Sequence, residues 1–375
     1  MTPKVMIVLL SKNWVGIARL PHAMTKAGWE VATFCADDSY LAKTVFTKAR
    51  YKLETHQTAF SKLIEAVNHY KPDILIPGCE ITVGWFHKIA RFEKTGALVD
   101  EISYLKKLVR LSLGSADLYD VTLSKNLMHS FALKLGLRVP LQETVTCSSD
   151  AKRAAQSLGY PVVIKGEFGF SGNCVRICKS ELELEKGYKE ISASNPNNRI
   201  DIQKFIDGVP SMCDGVAHDG RLLESFFVLK VHTHPLPTSP SSVVLLKESM
   251  EAQSTLSALV KNLSFNGFCS CDFIIEKSTQ ALYLIEFNPR PVPLSSLGHI
   301  FGHDLCVAFS QSLGFGLNSP AATTKVNDCV ALFPNEWLRD IESPYLTSGY
   351  HDVPWNDPIL LKALAPPSFT SLNKG

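Results

Sequence analysis

Asp272, Glu286 and Asn288 offer two carboxylates and an amide oxygen from one short stretch, and Arg290 follows directly. If Leu282–Asn288 is a strand, its period of two sends Glu286 and Asn288 to one face, and a hairpin partner can set Asp272 opposite them. Such hard oxygen donors suit Mg2+ or Mn2+, which keep their other positions for water and substrate phosphates. An acidic surface hairpin would carry the same letters, so this set gains weight only from a second one. Pro161-Val-Val-Ile-Lys165 ends an almost wholly apolar run in a lysine, ahead of Gly166, Gly169, Ser171 and Gly172. A lysine charge beside flexible backbone amides can hold phosphate oxygens. Together the two segments supply the halves of a nucleotide-phosphate site.

The elements that must carry these residues are legible around them. A helix over Ser124–Leu135 closed by Gly136, a strand over Glu143–Thr146, and a helix over Ala151–Leu158 between Ser149 or Asp150 and Gly159 lead into the strand ending at Lys165. With the Gly166–Val175 hairpin and a strand to Cys178, they make a small α+β unit over about residues 116–202. Strands follow at Ile200–Ile206, Met212–Ala217, Leu222–Val231, Gly267–Glu276 and Ala281–Asn288, with a helix from about Lys247 to Asn262. At the start, strand Val5–Leu10, helix Gly16–Ala27, strand Val31–Cys35, helix Phe60–His69 and strand Ile74–Ile76 form a βαβαβ opening, hence a parallel sheet. Its first turn, Ser11 to Gly16, lacks the glycines that admit a pyrophosphate, which argues against NAD or FAD. Asn13, Trp14 and Glu80 fall at strand ends, where such sheets bind ligands. Residues 315–325 have linker composition, and the tail from Val326, with Trp337, Tyr345 and Trp355, is expected to pack on the body.

The chain has 375 residues, 45% of them apolar and 20% charged, which fits a globular protein of several units. Lys plus Arg number 38 against 36 Asp plus Glu, and the net charge of +2 argues against nucleic acid or an anionic membrane as partner. Ten cysteines without a CxxC pair point to a reduced, cytoplasmic setting. The run Val5–Leu10 is too short for a signal core or a membrane span. His232 and His234 with Cys269 and Cys271 have no usual zinc spacing.

On these residues the chain resembles the ATP-grasp superfamily, and within it the carbamoyl-phosphate-synthetase-like branch of carboxylate-amine ligases, over roughly residues 118–310. The resemblance implies α/β and α+β architecture: an ATP-grasp fold preceded by a Rossmann-like parallel βαβ domain. The expected units are residues 1–115, a lid at 116–202, a metal-bearing subdomain at 203–314, and a linker and tail at 315–375. It further implies ATP and Mg2+ or Mn2+ as cofactors. Lys125 and Lys165 would be the two basic phosphate contacts, with Gly169, Ser171 and Gly172 in a mobile phosphate loop. Gln203, Lys204, Phe205 and Ile206 resemble the hinge on which adenine rests. Asp272, Glu286 and Asn288 would hold metal, and Arg290 with Lys165 would act on the transferred phosphoryl group. Lys230, His232 and His234, expected on one strand face, would meet the second substrate with Ser241, Ser242 and Arg290, and Pro291–Ser296 would line the same cavity. Gln203 stands where many members carry Glu, and Pro210 falls near a usual ribose-binding acid, so an altered nucleotide affinity is expected.

The implied reaction joins a small-molecule carboxylate to an amine through an acyl phosphate, releasing ADP and phosphate. A phosphotransferase and a nucleotide-binding regulator without catalysis remain as alternatives, and a homodimer remains open.

Overall fold

The computed structural model describes residues 2–11, 14–92, 99–167, 174–194, 199–315 and 325–372. Strands β1 (Lys4–Val8), β2 (Glu30–Cys35), β3 (Ala49–Lys52) and β4 (Ile74–Pro77) form a parallel sheet in the order β3-β2-β1-β4. Val5 and Ile7 point into one core and Met6 and Val8 into another, all fully buried. Burial on both faces is why β1 is a continuous apolar run. The first helix spans Leu20–Lys26 rather than starting at Gly16. Pro21 has no N–H to return to Ile17, so a helix begun further back would lose a bond there. β3 was not expected; its Ala-Arg-Tyr-Lys does alternate, with Ala49 and Tyr51 half-buried, but over four residues only and without a strongly apolar side chain to betray a strand.

A second, antiparallel sheet contains β5 (Gln142–Val145), β6 (Val162–Gly166), β7 (Val175–Cys178) and β8 (Ile200–Lys204), in the order β5-β8-β6-β7. Val145, Val162, Ile164, Ile200 and Ile202 face helices Ser148–Leu158 and Glu181–Ser194 and form their core. The alternate residues face the other way: register aligns Lys165 with Asp201 and Thr144, and Gln203 with Gln142. A boundary at 202/203 would cut β8, which continues unbroken to Lys204.

The third sheet has seven strands: β9 (Gly208–His218), β10 (Arg221–Thr233), β11 (Ser241–Lys247), β12 (Gly267–Glu276), β13 (Leu282–Asn288), β14 (Cys329–Leu332) and β15 (Tyr350–Asp352). Their order is β13-β12-β9-β10-β11-β14-β15. Asp219 and Gly220 both take positive φ, 49° and 69°, which matches the tight turn joining β9 to β10. The tail does more than pack: β14 pairs with β11 and β15 with β14. Its aromatics gather round Phe369, which meets Phe333, Trp337 and Trp355.

Two hydrophobic cores join the first sheet to the third. Helix Val99–Leu113 links them, since Ser112 Oγ donates to Leu75 O of β4 and its end abuts the start of β12. There the backbones approach so closely that a Cβ on Gly114 would lie 2.0 Å from Ser264 O, and one on Gly267 2.5 Å from Ser112 O. Both glycines also take positive φ, so no other residue fits without strain. This junction fixes β4 of the first sheet against the strand that carries Asp272.

Candidate active site

Register places Asp272 directly opposite Glu286 and Ser270 opposite Asn288, while Met212 of β9 flanks Asp272 on the other side. Asp272, Glu286 and Asn288 line a cavity of about 140 Å³ together with Arg290, Lys230 and Glu80. Each carboxylate already meets a lysine: Lys230 Nζ lies 2.6 Å from Asp272 Oδ1, and Lys125 Nζ lies 3.2 Å from Glu286 Oε1. Among the described residues, no three His, Cys, Asp or Glu side chains gather as a complete metal cage. Two carboxylates and an amide oxygen on one face instead fit a Mg2+ that completes its shell with phosphate and water.

Lys125 opens helix Lys125–Lys134, whose first turn is capped by Ser124, the Oγ accepting the Leu127 N–H at 3.1 Å. The same hydroxyl donates to Glu167 Oε1, tying this helix start to the end of β6. Burial works against the charge on Lys125, but Glu286 and then Glu80 outweigh it and hold its pKa above the ordinary value. Lys165, 5% exposed, goes the other way. Burial, with repulsion from Lys125, lowers it to about 8 despite the pull of Asp201 and Glu286. Asp201 is the unforeseen member here. Its Oδ1 accepts from Thr144 Oγ1 at 2.6 Å and Asn126 Nδ2 at 3.0 Å, while buried Oδ2 has no partner among the described residues. The alternation Ile200-Asp201-Ile202-Gln203 was its available signal. Gly169, Ser171 and Gly172 lie outside the described residues, as does Asn13.

At the expected hinge, Gln203 is buried and donates from Nε2 to Gln142 Oε1 at 2.9 Å. The Lys204 N–H is taken by Leu141 O at 2.8 Å, so that donor is already used within the protein. Phe205 is half-buried and Ile206 buried.

The expected second-substrate residues divide. Lys230 and Ser241 line the cavity with Arg290. His232 and His234 do not, and Lys230 and His232 do not share a regular alternation. A register shift in β10 pairs Lys230 with Val244 but His232 with Val243, breaking the period, and His232 packs on Tyr345 with ring centroids 5.5 Å apart. Ser242 is fully buried and donates to Glu336 Oε2 at 2.7 Å. Cys269 and Cys271 are likewise buried within β12.

Arg290 is 6% exposed and clasped from the first sheet's edge. One terminal nitrogen donates to Glu80 Oε1, the other to Pro291 O at 3.1 Å, and its guanidinium carbon lies 5.4 Å from the Trp14 ring centroid. Its buried Nε has no partner among the described residues. Behind it, buried Asp214 accepts from Ser295 Oγ at 2.9 Å, and that hydroxyl in turn accepts the Val292 N–H at 2.9 Å. Burial pushes the Asp214 carboxyl well above its ordinary pKa. The pair pins the turn Pro293–Ser296 that follows Arg290. Nothing adjacent to Asp214 in the sequence marks it, because its partner is 81 residues away.

Residues 125–311 match the family described as carbamoyl-phosphate synthase L chain, ATP binding domain. The carbamoyl phosphate synthase large chain of Thermotoga neapolitana is 24% identical over 248 residues, covering 60% of this chain and 22% of the relative. The arginine-specific large chain of Halalkalibacterium halodurans is 27% identical over 207 residues, covering 52% and 19%. The chain thus spans about a fifth of the length of these curated relatives. Among solved structures, N5-carboxyaminoimidazole synthetase of Staphylococcus aureus complexed with ADP aligns with a TM-score of 0.62 at 16% identity, covering 86% of this chain and 80% of that one. An L-amino acid ligase of Bacillus licheniformis aligns at 0.62 and 15% identity, covering 87% and 79%. A biotin carboxylase domain of Hydrogenobacter thermophilus, solved with MgADP and bicarbonate, aligns at 0.62 and 18%, covering 86% and 73%. Over residues 125–311 the chain belongs to the ATP-grasp superfamily, on its carbamoyl-phosphate-synthetase-like branch, and a parallel α/β sheet precedes that fold.

Proposed function

We propose that the protein is an ATP-dependent ligase that joins a small carboxylate to an amine through an acyl phosphate. The observation that carries this reading is the convergence of Asp272, Glu286 and Arg290 around one cleft, with Lys230 on its wall and Lys125 paired to Glu286. A carboxylate is a poor electrophile. Its oxygen attacks the γ-phosphorus of ATP, the bond to the β–γ bridging oxygen breaks, and ADP leaves. The amine nitrogen then attacks the acyl carbon, the C–O bond to phosphate breaks with its electron pair, and the nitrogen loses a proton.

The chain's own residues position and neutralise. In this reading Lys125 and Lys165 meet phosphate oxygens, and Lys125 in doing so releases Glu286. Asp272, Glu286 and Asn288 would hold the Mg2+, which when bound neutralises phosphate charge. Arg290, held flat by Glu80 and Trp14, offers paired donors to the oxygens of the acyl phosphate. The lid sheet, turned with Lys165 and Gln203 toward the cleft, would exclude water that otherwise hydrolyses the intermediate.

ADP release screened over amino acids and small carboxylates, alone and in pairs, identifies substrates. Hydroxylamine in place of the amine should then yield a hydroxamate. Carboxylate-dependent ADP release with no hydroxamate, and a phosphorylated product by mass, would replace this reading with a phosphotransferase.

A further inference from the structure

Beside the reaction cavity lies a second one of about 190 Å³, and the two share Trp14, Pro240, Pro293 and Leu332 as walls. They are adjacent chambers on either side of these four residues. The first chamber is charged, with Glu80, Lys230, Asp272, Glu286 and Arg290 around it. The second adds Val15 and Phe333 to the shared apolar walls, and of its polar side chains Arg19, Asp352 and Asn335 are engaged with one another or with backbone, while Trp14 Nε1 has no partner among the described residues. Arg19 is ion-paired with Asp352 and donates to Phe333 O at 3.0 Å, and Asn335 donates to Ser241 O at 3.2 Å. A polar ligand group entering there would give up water and find the charged side chains Arg19 and Asp352 already paired with each other, whereas an apolar group gives up nothing it needs.

We infer that the second chamber receives the apolar body of a substrate whose carboxylate head reacts beside Arg290, so the protein selects small carboxylates with a bulky aliphatic or aromatic side chain. This rests on the ligase reading for which end of the substrate reacts. Leu332, Phe333 and Asp352 come from the tail, outside the family match at 125–311, and Val15 and Arg19 come from the segment after β1. Selectivity is therefore written by parts of the chain that flank the ATP-grasp fold. Gly16 takes part by absence of a side chain, since a Cβ there would lie 2.4 Å from the Trp14 ring.

The test uses the full chain with Mg-nucleotide and four probes: glycine, leucine, phenylalanine and glutamate. Calorimetry with ADP present should show leucine or phenylalanine binding at least about tenfold more tightly than glycine or glutamate, the scale a single apolar group commands in a pocket. Val15→Trp, at the half-buried rim, should cut the ratio of leucine to glycine by about tenfold in binding and in kcat/KM. Leu332→Ala should enlarge the chamber and shift preference from leucine toward phenylalanine, and it carries the test if Val15→Trp does not fold. Equal affinity for all four probes, no binding of any, a preference for glycine or glutamate, or a ratio unmoved in a cooperatively melting Val15→Trp each overturns the inference. Tight binding of leucine or phenylalanine without ADP release from any substrate pair would remove the ligase reading and leave the apolar chamber standing. ADP release with glycine preferred does the reverse.

Discussion

Lys125 Nζ and Glu286 Oε1 stand 3.2 Å apart, so a basic phosphate contact and a metal ligand of the proposed site neutralise each other when neither has its ligand. Glu286→Gln removes the charge at nearly constant shape and leaves the largely covered Lys125 without its principal counter-charge. Turnover should fall by at least about a hundredfold, since phosphoryl transfer depends on charge neutralisation. Stability should fall by only about 1 kcal/mol, because Glu286 keeps 32% of its side chain exposed. Steady-state kinetics and a urea melt on one preparation separate the two effects, and unchanged turnover removes Glu286 from the site.

Lys165 gives a pH signature. Its pKa of about 8 in the fold lies below the ordinary lysine value of 10.5, so the unfolded chain binds more protons between these limits. Through this group, stability is lowest below pH 8 and rises as pH climbs from 8 to 10.5. Nucleotide binding runs the opposite way. Phosphate oxygens favour the charged amine, so a proton is taken up on binding above pH 8, and ATP affinity should weaken by up to about tenfold per pH unit. Calorimetry in buffers of different ionisation heat measures the uptake. Lys165→Arg should flatten the profile, since a guanidinium stays charged throughout.

Burial raises the Asp214 carboxyl well above its ordinary pKa, which favours the uncharged form, so its amide analogue should be tolerated. Asp214→Asn should cost little in melting temperature, while Asp214→Ala leaves the Ser295 hydroxyl without its acceptor in a buried place, at about 1–3 kcal/mol. If position 214 also steadies the turn after Arg290, Asp214→Ala should raise KM for the carboxylate more than KM for ATP. Equal loss in both variants would mean that the charged carboxylate is what matters.

What the sequence made legible follows from how local each signal is. The strand pairing behind Asp272, Glu286 and Asn288 keeps regular register from Ser270 to Asp272 and from Glu286 to Asn288, the register shift falling just beyond Asp272, and a lysine closing an apolar strand marks Lys165. His232 was misplaced because a bulge shifts register without changing composition. Ser242, read as a substrate contact, is buried against Glu336, a partner in the tail. Asp201 and Asp214 matter through neighbours brought by the fold from distant segments, as does the pairing of Arg290 with Glu80. Periodicity can say which face a residue takes but not which remote side chain waits there.

Glu80 and Arg290 offer a test of that long-range pairing. Arg290→Lys keeps the charge but loses the planar fork that presents donors to Glu80 and to an acyl phosphate together. It should lower kcat by about a hundredfold or more while leaving ATP affinity nearly intact, because the nucleotide phosphates are assigned to the two lysines. Glu80→Gln leaves the Arg290 guanidinium, which is 6% exposed, without the carboxylate that now faces it, and should cost about 1.5–3 kcal/mol in stability, the scale of one charge-assisted hydrogen bond. The two residues are in contact, so the double variant should lose less than the sum of the singles. A double-mutant cycle on urea stability measures this coupling. A value below about 0.5 kcal/mol, the range in which independent sites simply add, would mean that Glu80 does not hold Arg290 in solution. The same cycle on kcat/KM then decides the chemistry: if coupling appears in stability but not in turnover, Glu80 only supports the fold, and if it appears in both, the clasp sets the geometry in which Arg290 meets the reacting carboxylate.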